Sequence, residues 1–208
     1  MIAKGGHPLL EEKAIGAVKT LMIPRCALLT PNAPEAERLT ELSVDGINGQ
    51  RRAAEKLLRM GAKAVLVKGG HIPGATFTDV LATEKGERFY EAERIETTST
   101  HGTGCTLASA ISALLAQGIT LEEAIERARY YVFEAIKMIA DSPRVMQVLH
   151  IARAANLPDW RLVAGSVYGT VWNALINRDA DYGIKDYDIC YFDPDTSWEA
   201  EDAVIKAV

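Results

Sequence analysis

Ala64-Val65-Leu66-Val67-Lys68-Gly69-Gly70-His71 is the stretch on which the reading of the fold turns. Four apolar residues closed by a glycine pair form the clearest buried strand of the chain, and they put Lys68 at its end. Upstream, Gln50 to Met60 reads as a helix with Gly61 as its left-handed cap. Cys26 to Thr30 is a second short apolar run, a buried strand stopped by Pro31. Leu9, Leu10, Ala14, Ala17, Val18 and Leu21 recur at helical spacing, with Pro8 suited to a first turn. Downstream, Asp79 to Thr83 and Arg88 to Ile95 lie either side of Lys85-Gly86 and predict a hairpin. From Gly102 the chain turns into a helix through Leu107, Ile111, Leu114 and Leu115. A further helix spans Leu121 to about Ile139, with Ala124, Ile125, Ala128, Val132 and Ala135 as its inner face. Strands alternating with helices around one hairpin predict an α/β layer architecture.

Composition bounds the function. The chain has 208 residues, 48% of them hydrophobic and 25% charged, with a net charge of -5. That is the make-up of a globular protein, and no apolar run approaches the ~18 residues of a membrane span. The acidic balance argues against a nucleic-acid binder while leaving room for one bound nucleotide, which needs only a local phosphate site. Cys26, Cys105 and Cys190 are odd in number and far apart, so neither a disulfide framework nor a zinc site is suggested, and a cytoplasmic location is expected.

Thr100-His101-Gly102-Thr103-Gly104-Cys105-Thr106 stands at the mouth of a helix. Glycines there let backbone N–H groups close on an anion, and the helix dipole adds partial positive charge. Cys105 falls in the first turn, where that field favours a thiolate. An anion hole beside a reactive side chain suits transfer of a phosphoryl group to a hydroxyl. The same glycines also suit a plain helix cap around an inert thiol. Thr30-Pro31-Asn32-Ala33-Pro34-Glu35 follows a strand, which puts Asn32 and Glu35 on a loop where strand ends present ligand-binding groups. A carboxylate there can hold magnesium through water; equally, Glu35 fits a solvated first helical turn. Lys68 can neutralise a nucleotide phosphate or stand as a surface lysine.

Asn32-xx-Glu35, then Val65 to His71, then Thr100 to Thr106, in this order and with the linking hairpin, resemble hydroxymethylpyrimidine/phosphomethylpyrimidine kinase, a ribokinase-like enzyme of thiamine biosynthesis. The resemblance covers residues 1 to about 140. It implies a partial ribokinase-like three-layer α/β/α fold and ATP-dependent phosphorylation of hydroxymethylpyrimidine or its monophosphate, with ATP and magnesium as cofactors. Cys105 stands where the family carries the base that activates the substrate hydroxyl; many sugar kinases of the superfamily have aspartate there. Gly102, Thr103 and Gly104 would form the anion hole, Lys68 would contact ATP phosphates, and Glu35, supported by Asn32, would organise magnesium. His101 would be structural. Pyridoxal kinases are the near neighbours. The resemblance matches the family's C-terminal half, so the upstream strands, the lid, most pyrimidine-contacting groups and a magnesium-associated aspartate are expected to be missing, and activity to be impaired.

Character changes at Ala140-Asp141-Ser142-Pro143, where Ser142 suits an N-cap and Pro143 a first helical residue. Two domains are therefore expected, 1–141 and 142–208, and all three tryptophans lie in the second. There, Trp160 to Ala164 leads through Gly165-Ser166 into a helix with Val171, Trp172, Leu175 and Ile176. Ile184-Lys185-Asp186-Tyr187-Asp188-Ile189-Cys190-Tyr191-Phe192 reads as a strand on which Asp186 and Asp188 share a face. Paired carboxylates can bind magnesium and orient a triphosphate, with Gly165-Ser166 cradling phosphates. An isolated Asp-x-Asp also suits a solvated turn. This stretch resembles the beginning of a bacterial family of nucleotidyltransferase-like proteins, similar to the DNA polymerase β superfamily. It implies a partial α/β segment in which Asp186 and Asp188 serve as metal ligands. A third reading is a non-catalytic nucleotide-binding or oligomerising scaffold. An interrupted sheet exposes a strand edge and an apolar face, so a homo-oligomer is expected.

Overall fold

The computed structural model describes residues 12–95 and 102–207. The readings of Pro8, Leu9 and Leu10 and of Thr100 and His101 fall outside those residues. The chain forms two compact units, Met1–Gly104 and Cys105–Val208.

In the first unit, α1 (Glu12–Ala17) runs directly into a π-helical stretch, Val18–Met22, and a 3-10 turn, Ile23–Arg25. The chain then becomes extended at Cys26, whose thiol donates to the Ile23 carbonyl. The first helical segment thus reaches four residues beyond Leu21. Next come α2 (Ala33–Thr40), α3 (Ile47–Arg59), β1 (Ala64–Val67), β2 (Thr76–Thr83) and β3 (Gly86–Glu93). The three strands form one antiparallel sheet in the order β1-β2-β3, with Leu66 opposite Leu81 and Val80 opposite Phe89. The hairpin closes with Thr83 opposite Gly86, which holds φ at 131°. Glycine is the residue that takes this conformation without steric cost.

The expected strand at Cys26 to Thr30 is present only as two isolated parallel bridges, Leu29 with Val65 and Asn32 with Lys68. Proline is the physical reason. Leu29 N–H donates to Ala64 O at 2.9 Å, Leu66 N–H to Leu29 O at 2.8 Å, and Lys68 N–H to Pro31 O at 2.8 Å. The bond that Pro31 would donate in return cannot form, because its nitrogen carries no hydrogen. The ladder is interrupted at one rung while the two chains stay side by side.

Helix α3 packs on β1 and β2, and α2 on α3. Gln50, Ala53, Ala54 and Leu57 form the buried stripe of α3, at the spacing of one helical face. They meet Val65, Val67 and Ala82 of the sheet in a core that also holds Ile23, Ala36 and Val44. Alanines at the centre of the stripe let the helix lie close to the sheet. The helix begins three residues before the expected Gln50 and ends at Arg59, with Gly61 at φ 103° just beyond.

The second unit contains α4 (Thr103–Ala116) from Cys105 onward, α5 (Leu121–Ala140), α6 (Pro143–Ala154), β4 (Arg161–Val163), α7 (Gly165–Leu175), β5 (Asp188–Cys190) and α8 (Trp198–Ala207). Helix α5 packs against α6 and α7, and α7 against β4. Of the inner face that the periodicity predicts for α5, Ala124, Ile125 and Ala128 are buried, while Val132 and Ala135 are half-buried. Ser142 caps α6 through its hydroxyl, which accepts from Val145 N–H at 3.3 Å, and Pro143 is the first helical residue. Strand β5 is shorter than the expected 184–192. Its partner β4 stops at Val163, paired with Asp188, because Ala164 at φ 60° turns the chain into α7. Residues before Asp188 therefore have no neighbouring strand. Among the described residues, no helix is long and apolar enough to cross a membrane.

Leu57 is fully buried between α3 and the sheet. Leu57→Ala should therefore lower stability by about 2–5 kcal/mol, read as a drop in urea midpoint.

Candidate functional site

The parallel pairing of Leu29–Asn32 with β1 brings two chain segments out at one edge, with Asn32 beside Lys68. Carboxyl ends of parallel strands are where α/β sheets bind ligands. Directly after its bridge, Asn32 caps α2. Its Oδ1 accepts from Glu35 N–H at 2.8 Å, while Glu35 Oε2 accepts from Asn32 N–H at 2.9 Å, a reciprocal capping box. The sequence places these two residues on a ligand-facing loop, and the structure adds that each fixes the other.

Beyond Lys68, Gly69 lies against the β2 backbone so closely that a Cβ would run into the Thr78 carbonyl oxygen. Its N–H donates to Asp79 Oδ1 at 2.8 Å. The loop from Gly70 to Gly74 is gathered by Arg94. Its Nη1 donates to Gly70 O and its Nη2 to Ile72 O, both at 2.7 Å, and its Nε to Gly74 O at 2.9 Å. The guanidinium carbon also lies 5.8 Å from the Phe77 ring centre. Sequence reasoning singled out neither Asp79 nor Arg94 as a functional residue. The signal for Asp79 was a carboxylate heading the apolar run Val80-Leu81-Ala82; Arg94 left none, because its partners are backbone carbonyls.

At the start of α4, Gly102 turns the chain with φ 84°. A Cβ on Gly104 would sit 3.0 Å from Lys68 Nζ. The lysine ammonium thus reaches the first turn of a helix, where the helix dipole adds positive character. Lys68, Gly102, Thr103 and Gly104 together have the make-up of an anion site suited to a phosphate. Cys105 follows in the same turn, is exposed and carries a free thiol. The residues fit the phosphates of a nucleotide. For magnesium they offer the single carboxylate of Glu35. Among the described residues no three His, Cys, Asp or Glu side chains gather to hold a metal ion.

In the second unit, Asp188 opens β5 and Asp186 lies ahead of it, so strand alternation does not set the two on a common face. Both are exposed. Between them, the Tyr187 hydroxyl donates to Asp181 Oδ1 at 3.3 Å, and Arg144 lies 3.8 Å from the other oxygen. Burial, reinforced by the Asp181 charge, pushes the Tyr187 phenol up. Ser166 is fully buried and its hydroxyl donates back to Val163 O at 3.3 Å. That leaves only the backbone at the start of α7 to face a phosphate.

The fold is that of a ribokinase-like α/β protein. The chain belongs to the phosphomethylpyrimidine kinase family, whose match covers residues 1–150; a family described as nucleotidyltransferase matches residues 150–208. The chain is 44% identical to the thiamine biosynthesis bifunctional protein ThiED of Geobacter sulfurreducens over 160 residues, 76% of this chain and 33% of that protein. It is 43% identical to the hydroxymethylpyrimidine/phosphomethylpyrimidine kinase of Bacillus subtilis over 140 residues, 66% of this chain and 51% of that protein. Among solved structures, an ADP complex of Bacillus subtilis pyridoxal kinase superposes with a TM-score of 0.61 at 32% identity, covering 66% of this chain and 52% of that one. The chain thus spans between a third and a half of the length of these relatives.

The capping box yields a test of what Glu35 does. Asn32→Ala should cost about 1 kcal/mol of stability, whereas Glu35→Gln preserves the reach back to Asn32 and should leave the urea midpoint nearly unchanged. If Glu35 also organises magnesium, Glu35→Gln weakens Mg-ATP binding at that unchanged stability.

Proposed function

We propose that residues 1–141 carry the nucleotide and phosphoryl-transfer machinery of an ATP-dependent kinase for hydroxymethylpyrimidine or its monophosphate. The observation that carries this reading is the approach of Lys68 Nζ to the first turn of α4. Lys68 binds and neutralises a nucleotide phosphate, and the N–H groups at Gly102, Thr103 and Gly104 receive the phosphoryl oxygens as charge develops on them. Cys105 takes the proton from the substrate hydroxymethyl group as its oxygen attacks the γ-phosphorus, the bond from that phosphorus to the β,γ-bridging oxygen breaks, and ADP leaves. Glu35 would hold a magnesium ion accompanying the nucleotide, which would supply charge neutralisation. The names of the relatives support the pyrimidine as substrate, and the pyridoxal kinase likeness supports pyridoxal as the near alternative.

Residues 142–208 carry a second family likeness in this reading, although α6 and α7 pack on α5. A second activity, magnesium-dependent nucleotidyl transfer through Asp186 and Asp188, is supported by the family match there. The third proposal is self-association in the cytoplasm. Tyr168, Trp172, Leu175 and Ile176 are exposed at the spacing of one face of α7 and support it. A sedimentation coefficient that rises with protein concentration is expected; a constant monomer value counts against it.

Calorimetric titration of Mg-ATP tests the kinase reading. Lys68→Ala should weaken binding by about tenfold or more, as expected when a charged hydrogen bond of about 1.5–3 kcal/mol is lost. Asp188→Ala should leave it unchanged. Cys105→Ala should keep the nucleotide and abolish turnover of the pyrimidine. Binding lost only with Asp188→Ala transfers the assignment to the second segment.

A further inference from the structure

Two buried polar side chains flank Lys68 without belonging to the phosphate site. Gln50, 1% exposed, donates from Nε2 to Val67 O at 3.0 Å and to Thr78 O at 2.8 Å. Asp79, 2% exposed, accepts from Gly69 N–H at 2.8 Å. They hold the peptides on opposite sides of the same residue: the carbonyl immediately before Lys68 and the amide immediately after it. The lysine's own N–H is held by Pro31 O at 2.8 Å. Three backbone groups of the two peptides that flank one side chain are therefore fixed by three different partners.

Burial makes this arrangement specific. An amide or carboxylate removed from water destabilises the fold unless its hydrogen bonds are made, and a carboxylate more so than an amide. Packing alone would be served by apolar residues at these positions, as it is at Ala53, Ala54 and Leu57 on the same helix face as Gln50. Gly69 completes the arrangement, because only a residue without Cβ fits against the Thr78 carbonyl. What the held segment presents is Lys68, whose ammonium reaches Gly104 at the start of α4.

We propose that Asp79, assisted by Gln50, is a positioning residue that sets the place of the Lys68 ammonium for a nucleotide polyphosphate. The nucleotide part rests on the kinase reading; the positioning part does not. A side chain rooted in a fixed backbone needs less ordering when the phosphate arrives, and preorganisation of this kind is where affinity is gained.

The test uses the whole chain with Asp79→Ala, Asp79→Asn, Lys68→Ala and the double variant. Amide hydrogen exchange by NMR and the acetylation rate of the Lys68 amine need no nucleotide. In Asp79→Ala, exchange at Gly69 and acetylation of Lys68 should rise about tenfold, while the amides of Val80 to Thr83 keep their protection, as for a local opening. Asp79→Asn, whose amide oxygen still accepts from Gly69, should restore most of both. Mg-ATP affinity should fall about tenfold in Asp79→Ala, and no further in the double variant than in Lys68→Ala, the non-additivity of coupled sites. The proposal is overturned by unchanged Gly69 exchange, by loss of protection across β2 and β3 together, or by losses that add. If the parent chain binds no Mg-ATP, the kinase reading fails, and exchange and acetylation alone decide whether Asp79 positions Lys68.

Discussion

The parallel contact between Leu29–Asn32 and β1 is the constraint on which the strand-end site depends. Its three hydrogen bonds run along the fully buried strand β1 and stop at Lys68. Because both segments run in the same direction, their carboxyl ends emerge together, and the cap of α2 is delivered to the residue that follows β1. A shift of register by one residue would turn Lys68 to the other face of the sheet and take Asn32 out of reach. Burial of Val65, Leu66 and Val67 with no measurable exposure makes such a shift costly. Pro31 removes one rung of the ladder without separating the chains, since the bonds on either side remain.

The surroundings of Lys68 show how a glycine-rich loop is given one shape. Gly69 is required by a close approach to the Thr78 carbonyl, and Gly102 by a positive φ at the helix entrance. Gly70 meets neither requirement; its carbonyl is instead one of three that Arg94 collects. Buried Gln50 and Asp79 act from the core, and the half-buried Arg94 from the outer side. Loops placed on a rigid scaffold are where binding groups gather, and here the scaffold reaches into the loop through side chains rather than through strand pairing.

The two units differ in how far their site residues are organised. In the first, each proposed phosphate-binding group is tied to an element by a hydrogen bond, a helix start or a strand end. In the second, Asp186 and Asp188 stand exposed at the entrance to a three-residue strand, with the intervening Tyr187 anchored to Asp181. A carboxylate pair gains metal-binding power when both members are held at a fixed separation, and β5 fixes only Asp188.

Legible in the sequence are the buried strand Ala64–Val67, the hairpin after it, the helices at 103–116 and 121–140 and the Ser142-Pro143 start of α6. Each is a local pattern of apolar period, turn residue or cap that neighbouring residues alone can satisfy. The glycines around Lys68 and in Gly102–Cys105 stand out for the same reason, and the anion site proposed there would demand glycine at such spacing. Tertiary structure decided the rest. It made the Cys26–Thr30 strand two bridges, and it cut the 184–192 strand to Asp188–Cys190 because its partner turns away at Ala164. It also gave Gln50, Asp79 and Arg94 their partners, which lie 10 to 28 residues away in sequence. Their meeting requires the sheet to form first, so no window of sequence contains it.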